Sequence, residues 1–472
     1  MSEQKETREA AIETALGYFD DGKYFDELAR RVAIPTECQD PNQTPELYRY
    51  LHEEMKPAFE KMGYNCRIFD NPVPDKGPFF LAHRFESESY PTILGYGHGD
   101  VVLGQEGAWM EGLSPWKLEH RGDKVYGRGT ADNKGQHTLH MNAVEAVLAT
   151  RGKLGFNHKF LVETGEENGS KGLDEFVAAN RDALAADVFL ASDGPRVDMN
   201  SPNLTLGNRG IFSFDLTCEL REGGHHSGNW GGLLANPAII LSHAIASLIS
   251  AKGKIQSPGL LPEPMPNSVR VALRDVKRNG GGEAPEIDED WGEPGLTIPE
   301  QVYGWNSLDV LAMKTGNPEN PVNAIPPKAW AHCQIRYVVG SRDDEFLEII
   351  REHLDANGFD MVTISKPSGS NTPEFKAART DPENPWARWA AKALEKSWGQ
   401  KVAVLPNSGG SICNHTFQQH LGVPTIWIPL SYSACSQHAP NEHILKGLTR
   451  EGMKLVTGVY WDLGEDAPGK GA

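Results

Sequence analysis

Nowhere in this 472-residue sequence is there a run of about 18 apolar residues, so no segment reads as a membrane-spanning helix. Residues 1–8 are charged rather than apolar and do not resemble a secretory leader. Blocks of basic residues are missing too. With 64 acidic against 46 basic residues and a net charge of −18, nucleic acid and anionic membrane surfaces are not expected as partners. The six cysteines, Cys38, Cys66, Cys218, Cys333, Cys413 and Cys435, form no Cys-x-x-Cys pair. That spacing excludes a zinc ribbon and a disulfide framework and points to reduced thiols in a soluble cytoplasmic protein. What the chain does have is 39% hydrophobic residues, enough for buried cores in two or three domains.

The chain is organised around Val162-Glu163-Thr164-Gly165-Glu166-Glu167-Asn168-Gly169-Ser170. Leu161 and Val162 end an apolar strand, Gly165 permits a tight turn, and Ser170 is placed to cap the helix that Leu173 and Phe176 begin. On extended backbone adjacent side chains point to opposite sides, so Glu166 and Glu167 are expected to do different jobs, one at a metal and one with a proton. A solvated acidic turn before a helix is the competing reading. Other stretches argue against it. The strand from Thr92 to Tyr96 runs into Gly97-His98-Gly99-Asp100, where His98 and Asp100 share a side and the carboxylate can orient the imidazole. Three glycines surround Asp132 in Gly127-Arg128-Gly129-Thr130-Ala131-Asp132-Asn133-Lys134-Gly135, a constrained loop opening a helix. A carboxylate there can bridge two ions, which in two-metal hydrolases lie about 3.5–4 Å apart. The strand from Val188 to Ala191 delivers Asp193. Alternation of strand and helix through this region predicts a doubly wound, mainly parallel α/β sheet.

Taken in order, His98-Gly99-Asp100, Asp132, Glu166-Glu167, Asp193, His226-Ser227-Gly228 and His438 with Asn441-Glu442 resemble the M20 family of di-zinc metallopeptidases, near its carnosinase-like dipeptidases. The resemblance implies two divalent ions per subunit, Zn with Mn or Co as alternatives. His98, Asp132 and Asp193 would hold one, and Asp132, Glu167 and His438 the other, with Glu166 as general base. It also implies that His226 stabilises the oxyanion and that the chain is a homodimer in which this histidine crosses between subunits. His225 remains an alternative to His226, and His443, read as a surface or capping residue at a helix start, an alternative to His438. His415 reads as structural.

Residues 1–208 and 371–472 are expected to form the catalytic domain, and 209–370 an inserted α/β sandwich lid and dimerisation domain. Residues 253–321, rich in Gly, Pro and acid, interrupt the insert as a long excursion with a little helix near Leu308 and no assignable role. Arg336, on a lid strand, and the turn Ser408-Gly409-Gly410-Ser411-Ile412 suit a substrate carboxylate. The resemblance places Asn323 near the reacting carbonyl. The expected function is hydrolysis of an amide bond in a dipeptide or aminoacyl amino acid. Deacylation of N-acyl amino acids, hydrolysis of an unusual aromatic or xenobiotic amide, and a non-catalytic metal-binding homologue are the alternatives.

Overall fold

The computed structural model describes residues 6–277, 286–367 and 375–471. The Gly280-Gly281-Gly282-Glu283 run and the boundary expected at 370/371 lie outside them. Helices α1 (Arg8–Asp20) and α2 (Lys23–Val32) lead in, and α1 is capped by Thr7, whose side chain accepts from the Ala10 N–H. Residues 44–61 form one helix with a π-type turn at Leu51–Met55. Strands β1 (Asn65–Phe69), β2 (Phe79–Arg84) and β3 (Thr92–His98) precede helix α3 (Lys134–Arg151). β4 (Asn157–Glu163), α4 (Leu173–Ala179), β5 (Val188–Ala191) and β6 (Asn203–Thr205) follow.

The insert contains β7 (Gly210–Glu219), α5 (Pro237–Leu248), α6 (Asn267–Leu273), α7 (Ile298–Tyr303), β8 (Ser307–Thr315), β9 (Lys328–Tyr337), α8 (Phe346–Ala356) and β10 (Val362–Ser365). The chain returns through α9 (Pro385–Trp398), β11 (Ala403–Leu405), α10 (Asn414–Leu421), β12 (Thr425–Trp427) and α11 (Lys446–Leu463).

Eight strands make the large sheet, in the order β1-β2-β4-β3-β5-β12-β6-β11. Its centre is parallel, β4 with β3, β3 with β5 and β5 with β12, while β1, β2 and the β6–β12 contact are antiparallel. Every residue of β4 and β5 is buried, as expected for strands covered on both faces. Leu139, Val144 and Val147 of α3 pack on one face with Met453, Val456 and Val459 of α11. Phe176 of α4 and Phe417 of α10 cover the other. Helix α11 also lies against α1, where Arg8 Nε meets Asp462 Oδ1 at 2.9 Å. The helical layer over the large sheet therefore joins residues 8–20 with residues 446–463.

The insert's sheet is antiparallel, ordered β8-β9-β7-β10. Along β9 burial alternates strictly, and the inward set Ala331, Cys333 and Ile335 packs with Leu241 of α5 and Ile350 of α8. The helix expected near Leu308 is instead strand β8, at the sheet's edge, and the helices of the excursion are α6 and α7. Its β-branched and apolar run, Leu308 to Met313, pairs with β9, and tertiary pairing overrides the weak local signal.

Candidate active site

Parallel β3, β4 and β5 bring three carboxyl ends to one edge of the sheet, where open α/β sheets present their ligand crevices. His98 closes β3 with Asp100 just beyond it; Glu166 and Glu167 follow β4, and Asp193 follows β5. His98 Nε2 lies 2.9 Å from Asp132 Oδ1 and 3.8 Å from Asp193 Oδ2. His438 Nε2 is 3.0 Å from Asp132 Oδ2 and 3.0 Å from Glu167 Oε2. Asp132 thus offers one oxygen to each imidazole. Nδ1 of His98 is 3.2 Å from the Asp100 carbonyl and 3.5 Å from its carboxylate, whose other oxygen accepts the Glu167 N–H at 3.0 Å. This arrangement turns Nε2 toward Asp132 and ties the His98 turn to the Glu pair.

Glu166 and Glu167 do not sit on extended backbone. They begin a single 3₁₀ turn, Glu166–Asn168, which separates their directions by helical rotation rather than by strand alternation. Ser170 does not cap α4 either: its hydroxyl donates to Glu163 Oε1 at 3.0 Å, and Gly172 stands at the cap position. Glu163 also accepts from Tyr96 Oη at 2.7 Å, so a buried carboxylate anchors the turn from beneath.

Five carboxylates (Asp100, Asp132, Glu166, Glu167 and Asp193) crowd around the buried imidazole of His98 and the exposed one of His438. Burial, reinforced by the Asp132 charge, pushes Glu167 up to about 8 and Asp193 up to about 6. Burial also holds Glu166 well above the carboxylate range, with His98 opposing and Glu167 and Asp193 adding to the rise. Against burial, hydrogen bonds from His438 and His98 keep Asp132 below its ordinary value. The same contact with Asp132, then that with Glu167, lifts His438 to about 11. The donor atoms of His98, Asp132 and Glu167 lie within 4.8 Å of one another. Imidazole nitrogen and carboxylate oxygen are ordinary zinc ligands, and a divalent cation would relieve this mutual repulsion, so the residues fit a metal centre.

Glu442 organises the loop that presents Asp132. Its Oε1 accepts the N–H groups of Ala131 and Asp132 at 2.9 and 3.1 Å. Its Oε2 accepts Gly129 N–H and Arg128 Nη1, each at 3.0 Å. Both Glu442 and Arg128 are buried. Sequence spacing singled out Glu442 but gave it no role, since its partners lie some 310 positions away. Gln437, which donates to Asp132 Oδ2, was missed although it adjoins His438. Gln39, whose Nε2 donates to the Glu167 carbonyl at 3.3 Å, and Cys38 were also missed. Burial and the Asp100 carboxylate raise the Cys38 thiol. No local pattern marks that N-terminal segment. His443 is neither a surface residue nor a helix cap: it is buried in the short strand His443–Leu445, against Tyr432 and Tyr126.

A cavity of about 840 Å³ extends from Asp132, Glu166 and His438 to the glycine-rich turn at residues 408–412. That turn is fastened by Arg209, whose Nε donates to the Gly409 carbonyl at 3.0 Å, and by Ser411 Oγ, which donates to the Arg209 carbonyl at 2.6 Å. Arg336 Nη1 donates to Ser411 Oγ at 2.8 Å, so the lid strand and the turn do meet. His226 and Asn323 come together elsewhere. They lie at the antiparallel pairing of His225–His226 with Ala324–Ile325, where Ser227 N–H donates to the Asn323 carbonyl at 2.9 Å. Both are exposed, and neither is among the described residues that line the cavity. His415 is half-buried beside Phe375. Among the described residues no helix is long and apolar enough to cross a membrane, and all six cysteines are unbonded.

Residues 94–461 match Peptidase family M20/M25/M40. The chain is 31% identical over 482 residues to the Beta-Ala-His dipeptidase of Mus musculus, covering 95% of this chain and 94% of the relative. It is 28% identical to the Cysteinylglycine-S-conjugate dipeptidase of Corynebacterium striatum, covering 84% and 86%. The fold is similar to that of the di-peptidase Dug1p from Saccharomyces cerevisiae, with a TM-score of 0.75, 22% identity, and 96% and 99% coverage.

Proposed function

The chain belongs to peptidase family M20/M25/M40, and from that membership we propose that it is a di-zinc dipeptidase of the cytoplasm, active as a homodimer. The observation that carries this reading is the convergence of His98, Asp132, Glu167, Asp193 and His438 around surplus buried carboxylate. His98, Asp132 and Asp193 would hold one ion and Asp132, Glu167 and His438 the other. Bound zinc would supply Lewis-acid polarisation of the scissile carbonyl and make water acidic enough to react near neutral pH.

The remaining work falls to the chain. Glu166 lines the cavity beside this cluster and serves as general base, accepting the attacking water's proton and returning it to the departing amine. Asp100 holds the His98 ring, and Glu442 holds the backbone that carries Asp132. Arg336, Ser408, Gly409, Gly410 and Ser411 receive the substrate's carboxylate through guanidinium, hydroxyl and backbone donors. The oxyanion donor is His226 of the partner subunit, with Asn323 of the partner subunit beside it, because the same chain's His226 and Asn323 do not line its own cavity. An exposed lid edge supports pairing of subunits: β8 is unpaired on one side, with Val310, Leu311 and Met313 at 40%, 56% and 45% exposure. Domain limits of 1–208, 209–370 and 371–472 belong to the same reading, as does a cytoplasmic location, which the unbonded cysteines favour.

The test is chelation followed by restoration with Zn, Mn or Co, using dipeptides, their C-terminal amides, N-acyl amino acids and aryl amides as substrates. Dipeptide hydrolysis that vanishes on chelation and returns with metal is expected, with amides at least about tenfold poorer in kcat/KM from loss of a charge-assisted contact. Turnover confined to N-acyl amino acids or aryl amides would move the assignment to those classes.

A further inference from the structure

The excursion has no place in the chemistry above, yet its described residues, 253–277 and 286–321, do not hang free. Helix α7 starts at a capping box in which Thr297 Oγ1 accepts the Glu300 N–H and Glu300 Oε2 accepts the Thr297 N–H. The other oxygen of Glu300 accepts Arg270 Nη1 at 2.8 Å, tying α7 to α6. Val269 and Leu273 of α6 and Tyr303 of α7 form a small core of their own with Leu405, the last residue of β11. Buried Asn407 then donates to the Tyr303 carbonyl at 2.8 Å. The insert is thereby clamped onto the edge of the catalytic sheet.

Where it is clamped, it walls one side of the cavity. Val302 and Tyr303 line the space, facing Val197, Leu405, Pro429 and Ala434. A Cβ on Gly409 would stand 3.4 Å from Val302 and 3.8 Å from Tyr303, so the glycine-rich turn abuts the same wall. Two arginines line this recess and are engaged within the protein, although Nη2 of Arg196 is buried with no partner. Arg196 Nη1 is 2.6 Å from Glu451 Oε1, and Arg209 faces the Gly409 carbonyl at the turn. Cavities of roughly 300–1,000 Å³ hold drug-sized ligands, and at about 840 Å³ this one is far larger than a diglycine needs.

We propose that α7 is the wall of a specificity recess, with Val302 and Tyr303 selecting substrates that carry a bulky uncharged side chain, aromatic or branched aliphatic, beside the scissile bond. The proposal rests on the dipeptidase reading for its substrate and on the cavity alone for its site. A residue that fills the recess should exclude the large side chain while leaving the reacting atoms reachable. One methylene of misfit in an apolar pocket changes discrimination by about 10–200-fold.

The test compares Gly-Gly, Phe-Gly, Gly-Phe, Trp-Gly and Gly-Trp as substrates, and free phenylalanine and glycine as calorimetric ligands, in the metal-loaded wild type, Val302→Trp and Val302→Ala. At least one phenylalanine peptide should exceed Gly-Gly by about tenfold or more in kcat/KM in the wild type. Val302→Trp should lower that ratio at least about tenfold, and Val302→Ala should shift it toward tryptophan-containing peptides. Wild type should bind phenylalanine and Val302→Trp should not. If no peptide is hydrolysed but that binding difference holds, the recess stands and the dipeptidase reading falls. Equal phenylalanine binding by the two proteins, or equal loss of Gly-Gly and phenylalanine turnover in Val302→Trp, overturns the recess.

Discussion

Replacing Glu442 by Gln exchanges one carboxylate oxygen for an amide NH₂ in a space that holds only donors. Three backbone N–H groups and Arg128 converge on this carboxylate. The new NH₂ must face some of them, and the buried guanidinium loses its counter-charge. Arg128 keeps its bonds to the carbonyls of Ala439 and Leu103, both at 3.0 Å, so it is not wholly stripped. Breaking a buried pair by removing one partner costs about 3–5 kcal/mol, and the retained bonds place Glu442→Gln at the lower end. At ~2–4 °C per kcal/mol for chains of 150–250 residues, and less for a longer one, the melting temperature should fall by roughly 5 °C. Because the cradle sets the backbone that presents Asp132, metal retained after dialysis should fall as well. Calorimetry and metal analysis give the two readings. The double variant Arg128→Met with Glu442→Gln should melt higher than Glu442→Gln alone, since it removes the orphaned charge. A Glu442→Gln protein that melts within roughly 1 °C of wild type and keeps its metal would refute the cradle.

Glu166→Gln should retain metal and lose about 10²–10⁴ in kcat, because a proton acceptor is removed while the side chain's shape is kept. Metal loss in this variant but not in Glu167→Gln would reverse the roles of the pair. Mixing His226→Ala with Glu166→Gln subunits should restore activity, since an exchanged dimer has one site with both lesions and one intact; no recovery despite demonstrated exchange would exclude a shared site. Acid should destabilise the fold through His140 and His158, which burial pushes down to about 3. Their folded pKa lies below the unfolded value of about 6.5, so the unfolded chain binds protons first. Stability is then fully present above pH ~6.5 and falls as pH drops toward 3, by about 2 kcal/mol for each group at pH 5. His158→Gln should show a shallower loss of melting temperature between pH 7.5 and 5, and an identical slope would count against this account.

Strand ends were the readable part of the site. His98, Asp132, Glu167 and Asp193 each sit near a glycine-marked break in an apolar pattern, His438 was picked out by the Asn441-Glu442 that follows it, and these five residues converge in space. The parallel sheet was readable for the same reason, since continuous burial leaves a continuous apolar run. Local pattern fails where the partner is remote or the backbone unexpected. Glu442 acts on residues more than 300 positions earlier, and Cys38 and Gln39 reach the site from a segment with no periodicity of its own. The turn at Glu166 and Glu167 is helical because Gly165 and Gly169 bracket a single 3₁₀ turn, a geometry that the adjacent strand did not announce. Strand β8 was hidden by the Gly- and Pro-rich chain on both sides of it.

Arg8 meeting Asp462, and Glu442 gripping the Asp132 loop, bear on the order in which the molecule is made. The insert's sheet closes from residues 210–365, so it can collapse while the ribosome is still at work. The large sheet cannot, because β12, His438 and Glu442 are all made after the insert. Contacts of such long sequence separation form late. Until residues 425–442 are made, the Asp132 loop lacks the bonds that Glu442 supplies and the clustered acids lack His438. A nascent chain therefore carries a folded insert beside an unfinished centre, and the centre is complete only once residue 442 has been added.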